Sequence, residues 1–108
     1  MNKILIKPQV NSRQHRFSRT ELLIGSTGLE TLRNKHVMIC GIGGVGSYAA
    51  EALGRAGIGR ITLVDFDDIC LTNVNRQLHA LSCTVGRSKV EVMATRLTDI
   101  NSEAEIVN

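Results

Sequence analysis

The sequence predicts an α/β fold, the first βαβαβ half of a doubly wound parallel sheet, preceded by short N-terminal helices. Three observations carry this. The run His36-Val37-Met38-Ile39-Cys40 leads directly into Gly41-Ile42-Gly43-Gly44-Val45-Gly46. Val45, Ala49, Ala52, Leu53 and Ala56 then recur at helical spacing, with Gly57 placed to end that helix. A second apolar run, Ile61-Thr62-Leu63-Val64, is closed by Asp65.

The elements follow in order. Lys7 to Arg16 is polar, holds the only proline, Pro8, and reads as extended chain, so residues 1–15 are expected to be a basic, flexible leader. Ser18-Arg19-Thr20-Glu21 has capping-box spacing, and Leu22, Leu23 and Ile24 follow before Gly25. Thr27-Gly28-Leu29-Glu30 repeats that spacing ahead of Leu32, so two short helices are expected before the sheet. Neither strand run alternates in polarity, which predicts strands covered on both faces and places Cys40 in the core. A polar connection runs from Phe66 to Gly86. Val90, Met93, Leu97 and Ile100 line one face of a helix over Ser88 to Ile100, and Glu105-Ile106-Val107 begins a third strand. A sheet of this type needs more strands, so residues 16–108 are read as the N-terminal part of a longer domain.

Composition narrows the function classes. The first apolar stretch is Ile4-Leu5-Ile6, too short for a signal-peptide core or a membrane span, which favours the cytoplasm. Cys40, Cys70 and Cys83 are odd in number and form no CxxC pair, so neither a disulfide framework nor a zinc site is written here. The net charge of +3 is uneven. Lys3, Lys7, Arg13, Arg16 and Arg19 all precede the first acid, Glu21, and leave a body richer in acids than bases. A basic arm suits a phosphate-rich partner, a nucleotide or RNA; otherwise it only solubilises the chain.

A strand, GxGxxG, a helix, a second strand and an acid together form a Rossmann-like nucleotide fingerprint. Gly41 permits the turn out of the strand, Gly43 lets phosphates approach the backbone, and Gly46 lets the helix pack closely. A helix starting near Gly44 points unpaired amides at an anion. Asp65 is placed to accept bonds from ribose hydroxyls. NAD is the default ligand, and an NAD-dependent oxidoreductase needs little more than Asp65. The chain supplies more: Asp67, then Asn73-Val74-Asn75-Arg76-Gln77, then Gly86-Arg87-Ser88-Lys89. An amide, a guanidinium and an ammonium on segments leaving the carboxyl end of the sheet match a triphosphate. Asp67 reads equally as a nucleotide or magnesium contact and as a turn cap. His79 reads as structural ahead of touching substrate. Cys83 has only Arg87 nearby to activate it and carries little as a nucleophile.

At these residues the chain resembles the ThiF/MoeB/HesA family of adenylating enzymes, relatives of the ubiquitin-activating enzymes. The motifs are Arg16-Phe17-Ser18-Arg19, Gly41 to Gly46, Asp65-Phe66-Asp67, Asn73 to Gln77, and Lys89. The resemblance implies that Asp65 holds the ribose of ATP and that Asn73, Arg76 and Lys89 contact its phosphates, with Arg76 and Lys89 assisting the chemistry. It implies that Arg19 reaches the ATP of the other subunit of a homodimer. It also puts the aspartate that holds magnesium beyond residue 108, which would leave these residues alone inactive or nearly so. Asn73-x-Asn75-Arg76-Gln77-x-His79-Ala80 is most similar to the branch that uses ATP to cyclise tRNA threonylcarbamoyladenosine. The alternatives are adenylation of the C-terminal glycine of a ubiquitin-like sulfur carrier, an NAD-dependent oxidoreductase, and a catalytically silent nucleotide-binding or dimerisation module.

Overall fold

The computed structural model describes residues 14–108. Of the expected leader, residues 1–13 lie outside the described residues. The elements are α1 (Ser18–Arg33), β1 (His36–Cys40), α2 (Gly46–Ala56), β2 (Arg60–Val64), a 3₁₀ turn (Leu71–Asn75), α3 (Lys89–Ile100) and β3 (Glu105–Val107). The strands pair in parallel in the order β1-β2-β3, with Val37, Ile61 and Ile106 in register. This is the α/β half-sheet the sequence predicts.

α1 contains the two expected helical stretches, broken at Gly25, whose φ of 75° and ψ of 172° are non-helical. Its start differs from the expected capping box. Ser18 is the first helical residue, and its hydroxyl accepts a hydrogen bond from the His15 N–H at 2.8 Å. Arg16, expected in a free basic arm, is spent on structure. Its guanidinium donates to the Ile100 carbonyl (2.6 Å) and the Ser102 hydroxyl (3.1 Å), meeting a carbonyl that the C-terminus of α3 leaves without a helical partner.

One core forms between the sheet and the two later helices. Ile42, Ala50, Ile58, Ile61, Leu63, Met93 and Leu97 are buried together, with Val37, Ile39, Val90, Ile100 and Ile106 against them. Full burial of a side chain the size of Leu97 contributes about 2–3 kcal/mol. The face of α3 is the one its spacing predicts. The face of α2 is met only in part: Leu53 packs against the core, but Val45 is 85% exposed and Ala52 exposed, and the fully buried residues are Ser47, Ala50 and Gly54. Small residues win because α2 lies close to α3, where a Cβ on Gly54 would come within 3.0 Å of Leu97 Cδ2. Glu51 of α2 joins the same two helices by accepting from Arg96 Nε (2.5 Å) and Nη2 (3.1 Å).

Two-sided burial is not seen for β1 among the described residues, whereas Thr62 and Val64 of β2 are partly buried. β1 alternates, so Val37 and Ile39 face the helices while Met38 (59% exposed) and Cys40 face the other way. Cys40 is thus exposed among the described residues, not buried as expected. With α2 and α3 on one side of the sheet, nothing among the described residues covers the other side of β1. An unbroken apolar run and a one-sided strand look alike in sequence when the outward residues are Met and Cys.

Candidate nucleotide site

The glycine loop leaves β1 at the carboxyl end of the sheet. Gly41 has φ +94°, a conformation that favours glycine, and its N–H donates to Val64 O at 2.7 Å, continuing the pairing with β2. α2 begins at Gly46, two residues later than expected, although the Ser47 N–H already bonds to Gly43 O at 3.0 Å. A Cβ on Gly46 would collide with the Gly41 carbonyl oxygen, so the helix start sits directly on the turn. Gly43 is different. A Cβ there would meet only Gln77 Nε2, at 3.7 Å, so the fold itself leaves room above that residue. Among the described residues the backbone N–H groups of Gly43, Gly44, Val45 and Gly46 have no acceptor. Four such donors at a helix start form an anion-binding nest.

Asp65 ends β2 beside this loop. Its Oδ2 accepts from Ile42 N–H at 2.7 Å and its Oδ1 from Asp67 N–H at 2.8 Å. Burial works to raise its pKa, but the amides of Asp67 and Ile42, with Lys89 and His79 nearby, outweigh that and hold it below the usual value. The carboxylate stays charged, with lone pairs left over for hydroxyl donors.

The connection expected to be merely polar is tied back on itself. Ile69 N–H donates to Arg87 O (2.8 Å), Gly86 N–H to Ile69 O (2.8 Å) and Lys89 N–H to Asp67 O (3.2 Å), with Asp68 and Ser88 bridged antiparallel. These bonds bring Lys89, at the start of α3, to the end of β2. Lys89 is 7% exposed and forms no ion pair among the described residues. Its charge is felt by Asp65, whose pKa it helps to lower, and with no direct ion pair the ammonium is left with donors for an anion. Ser88 caps α3 by accepting from the Glu91 N–H at 3.3 Å.

The Asn73 to Gln77 segment lies over the glycine loop. A Cβ on Gly44 would meet Arg76 Cγ at 3.7 Å and Cδ at 3.8 Å, so the arginine stem lies beside Gly44. Its guanidinium donates to Thr72 O (3.2 Å) and Asn75 Oδ1 (2.9 Å) and stays exposed. Asn73 is buried, and its Oδ1 accepts from Cys70 N–H at 2.8 Å, closing the 3₁₀ turn. Asp67 is exposed. Arg19 stands apart: Phe17, two residues before it, packs on Gly57 at the far end of α2. The glycine loop lies at the opposite end of α2, a helix of 11 residues.

The structure thus gathers Gly41, Gly43, Gly44, Gly46, Asp65, Asp67, Arg76 and Lys89 at one end of the sheet, with Asn73 beneath them. Ser47, His79 and Thr84 were not assigned to the site by sequence reasoning, yet they tie it together. Leu78 N–H donates to Ser47 Oγ (3.1 Å), His79 Nε2 lies 2.7 Å from Ile42 O, and Thr84 Oγ1 donates to His79 O (2.7 Å). No local periodicity marks them, because their partners lie elsewhere in the chain.

Comparison with known proteins decides the family. The ThiF family model matches residues 17–108. The chain belongs to the ThiF family. It is 62% identical over 93 residues to tRNA threonylcarbamoyladenosine dehydratase of Bacillus subtilis, covering 86% of this chain and 37% of that protein. It is 41% identical over 93 residues to molybdopterin-synthase adenylyltransferase of Escherichia coli, covering 84% and 37%. The solved structure of the E. coli tRNA N6-threonylcarbamoyladenosine dehydratase in complex with ATP superposes with a TM-score of 0.84 at 48% identity, covering 95% of this chain and 42% of that one. This ThiF-family chain therefore spans just over a third of the length of the curated relatives it matches. No helix of the described residues is long and apolar enough to cross a membrane.

Proposed function

We propose that this chain is the nucleotide-binding part of an ATP-dependent enzyme that adenylates the carboxyl group of tRNA threonylcarbamoyladenosine and closes it into a ring. One observation carries the reading. The stem of Arg76 lies beside Gly44, and the mostly buried Lys89 acts on Asp65, so both residues border the loop whose amides are unpaired. A nicotinamide cofactor would leave both cations idle. The relatives named for the dehydratase, one solved with ATP, support the same choice.

The residues fit ATP. Loop amides and Lys89 hold phosphate oxygens, Arg76 stabilises charge that grows on them during transfer, and Asp65 accepts from the ribose hydroxyls. A carboxylate oxygen of the substrate attacks the α-phosphorus in line. The bond from that phosphorus to the bridging oxygen breaks, pyrophosphate leaves, and an acyl-adenylate remains. A neighbouring substrate nitrogen then attacks the activated carbon, loses its proton, and AMP departs. The net result is removal of the elements of water from the substrate. Positioning supplies most of the acceleration in such a transfer.

Magnesium, which neutralises phosphate charge when bound with ATP, is assigned in this proposal to an aspartate beyond Asn108. The described residues contain no group of three or more His, Cys, Asp or Glu that could hold a metal. Arg19 is proposed to act in trans within a homodimer, since it stands exposed at the far end of α2 from its own loop. A tRNA substrate supports a cytoplasmic location. The second reading, adenylation of a sulfur carrier's terminal glycine, is favoured by the similarity to molybdopterin-synthase adenylyltransferase.

The test is pyrophosphate exchange into ATP, measured on the protein together with any sequence that follows Asn108. Exchange dependent on threonylcarbamoyladenosine-tRNA supports the first reading. Exchange that instead requires a carrier with a Gly-Gly tail selects the second. No exchange with either, under conditions where ATP binds, overturns adenylation.

A further inference from the structure

We propose that His79 is a positioning residue that aims the Gly43 amide at the nucleotide phosphates. The inference rests on the reading of the glycine loop as a phosphate site and adds a residue to it. Ile42 is fully buried, and both its backbone groups are held by side chains distant in sequence. Its N–H donates to Asp65 Oδ2 at 2.7 Å, and its C=O lies 2.7 Å from His79 Nε2. A carbonyl only accepts, so His79 Nε2 carries the hydrogen.

The consequence follows from peptide geometry. In a planar trans peptide the C=O and the following N–H point in opposite directions. Fixing the Ile42 carbonyl toward His79 turns the Gly43 N–H away from His79, and there, like those of Gly44, Val45 and Gly46, it has no acceptor among the described residues. Without that bond the Ile42 carbonyl would be free to accept from Gly46 N–H in ordinary helical fashion, winding the nest into the first turn of α2. His79 is built for the task. It is 2% exposed, its own carbonyl accepts from Thr84 Oγ1 at 2.7 Å, and the adjacent Leu78 N–H is fastened to Ser47 Oγ at 3.1 Å. Its Nδ1 has no partner among the described residues, so the interaction with Ile42 is the polar contact the ring makes there.

The test compares three substitutions in the full chain, with ATP and adenosine as probes in calorimetric titrations and with melting temperature as the control for folding. His79→Gln places an amide donor near the Nε2 position, whereas His79→Asn places it near Nδ1; His79→Leu has no donor. The expected result is that His79→Gln binds ATP within about threefold of the parent, while His79→Asn and His79→Leu lose about tenfold. Adenosine affinity stays unchanged in all three, because it lacks the phosphates that Gly43 serves. If His79→Leu does not fold, the Gln and Asn pair still decides. Equal ATP affinity in the Gln and Asn variants overturns the proposal. Parallel loss of ATP and adenosine overturns it as well, since that marks a purely structural role. If the parent chain binds adenosine but gains nothing from phosphates, the phosphate-site reading itself fails, and the inference with it.

Discussion

Removing the Asp65 carboxylate tests how the loop is anchored. In Asp65→Ala the Ile42 N–H loses its 2.7 Å acceptor inside a fully buried residue, and the Asp67 N–H loses its 2.8 Å acceptor at an exposed position. An unsatisfied buried donor costs about 1–3 kcal/mol, and the exposed amide turns to water at little cost. The expected destabilisation is about 2–3 kcal/mol for Ala and about 1 kcal/mol for Asn, which can keep its oxygen toward Ile42. With a urea slope of about 1 kcal/mol per molar, the midpoint falls by roughly 2–3 M and 1 M respectively. The folded carboxylate has a lowered pKa, so its contribution is complete above the unfolded value of about 3.9 and is lost as pH falls through the folded value. Urea melts of the parent should lose stability on acidification below about pH 4, and Asp65→Asn should show a flatter loss. Equal midpoints for parent and Asp65→Ala at pH 7, or an identical acid slope in Asp65→Asn, would refute the anchoring argument.

Other consequences are equally direct. Gly46→Ala forces a Cβ into the Gly41 carbonyl, a backbone collision no rotamer relieves, and should cost about 3 kcal/mol or prevent folding. Gly43→Ala meets only Gln77 Nε2 at 3.7 Å, so its melting temperature should stay near the parent's while ATP affinity, read by calorimetry, falls at least tenfold. Leu97→Ala removes a fully buried side chain of the core and should lower stability by about 2–5 kcal/mol in urea melts, with no preference between ligands. Glu51 has a lowered pKa, chiefly from its hydrogen bonds with Arg96 and then Arg55, against the opposing effect of burial. Its stabilisation is therefore present above the unfolded carboxylate pKa and lost below the folded one, and Glu51→Gln should weaken acid sensitivity as well as stability at pH 7.

What could be read from the sequence divides along physical lines. The glycine loop, Asp65 and the strand order were legible because each requires a particular residue type at a fixed local spacing. Gly46 is a clear case, since any side chain there strikes Gly41. Part of the buried face of α2 was missed because Ser47, Ala50 and Gly54 carry little hydrophobic signal, and closeness to α3 selects small residues there. Cys40 is exposed because nothing among the described residues packs on its face of β1, and what packs on a strand face is not encoded in the strand. His79 reads as one polar residue among several in a loop; its partner, Ile42 O, lies 37 residues away. Lys89 was found through its motif, but its burial near Asp65 is a tertiary fact.

The central claim is that the two cations and the loop amides serve one triphosphate. The most direct measurement is calorimetric titration of the chain with ATP and with NAD, in the parent and in Arg76→Ala and Lys89→Ala. The account predicts that ATP binds and NAD does not compete with it, and that each substitution weakens ATP about tenfold or more while leaving adenosine unaffected. Preference for NAD, or ATP affinity indifferent to both substitutions, would contradict it.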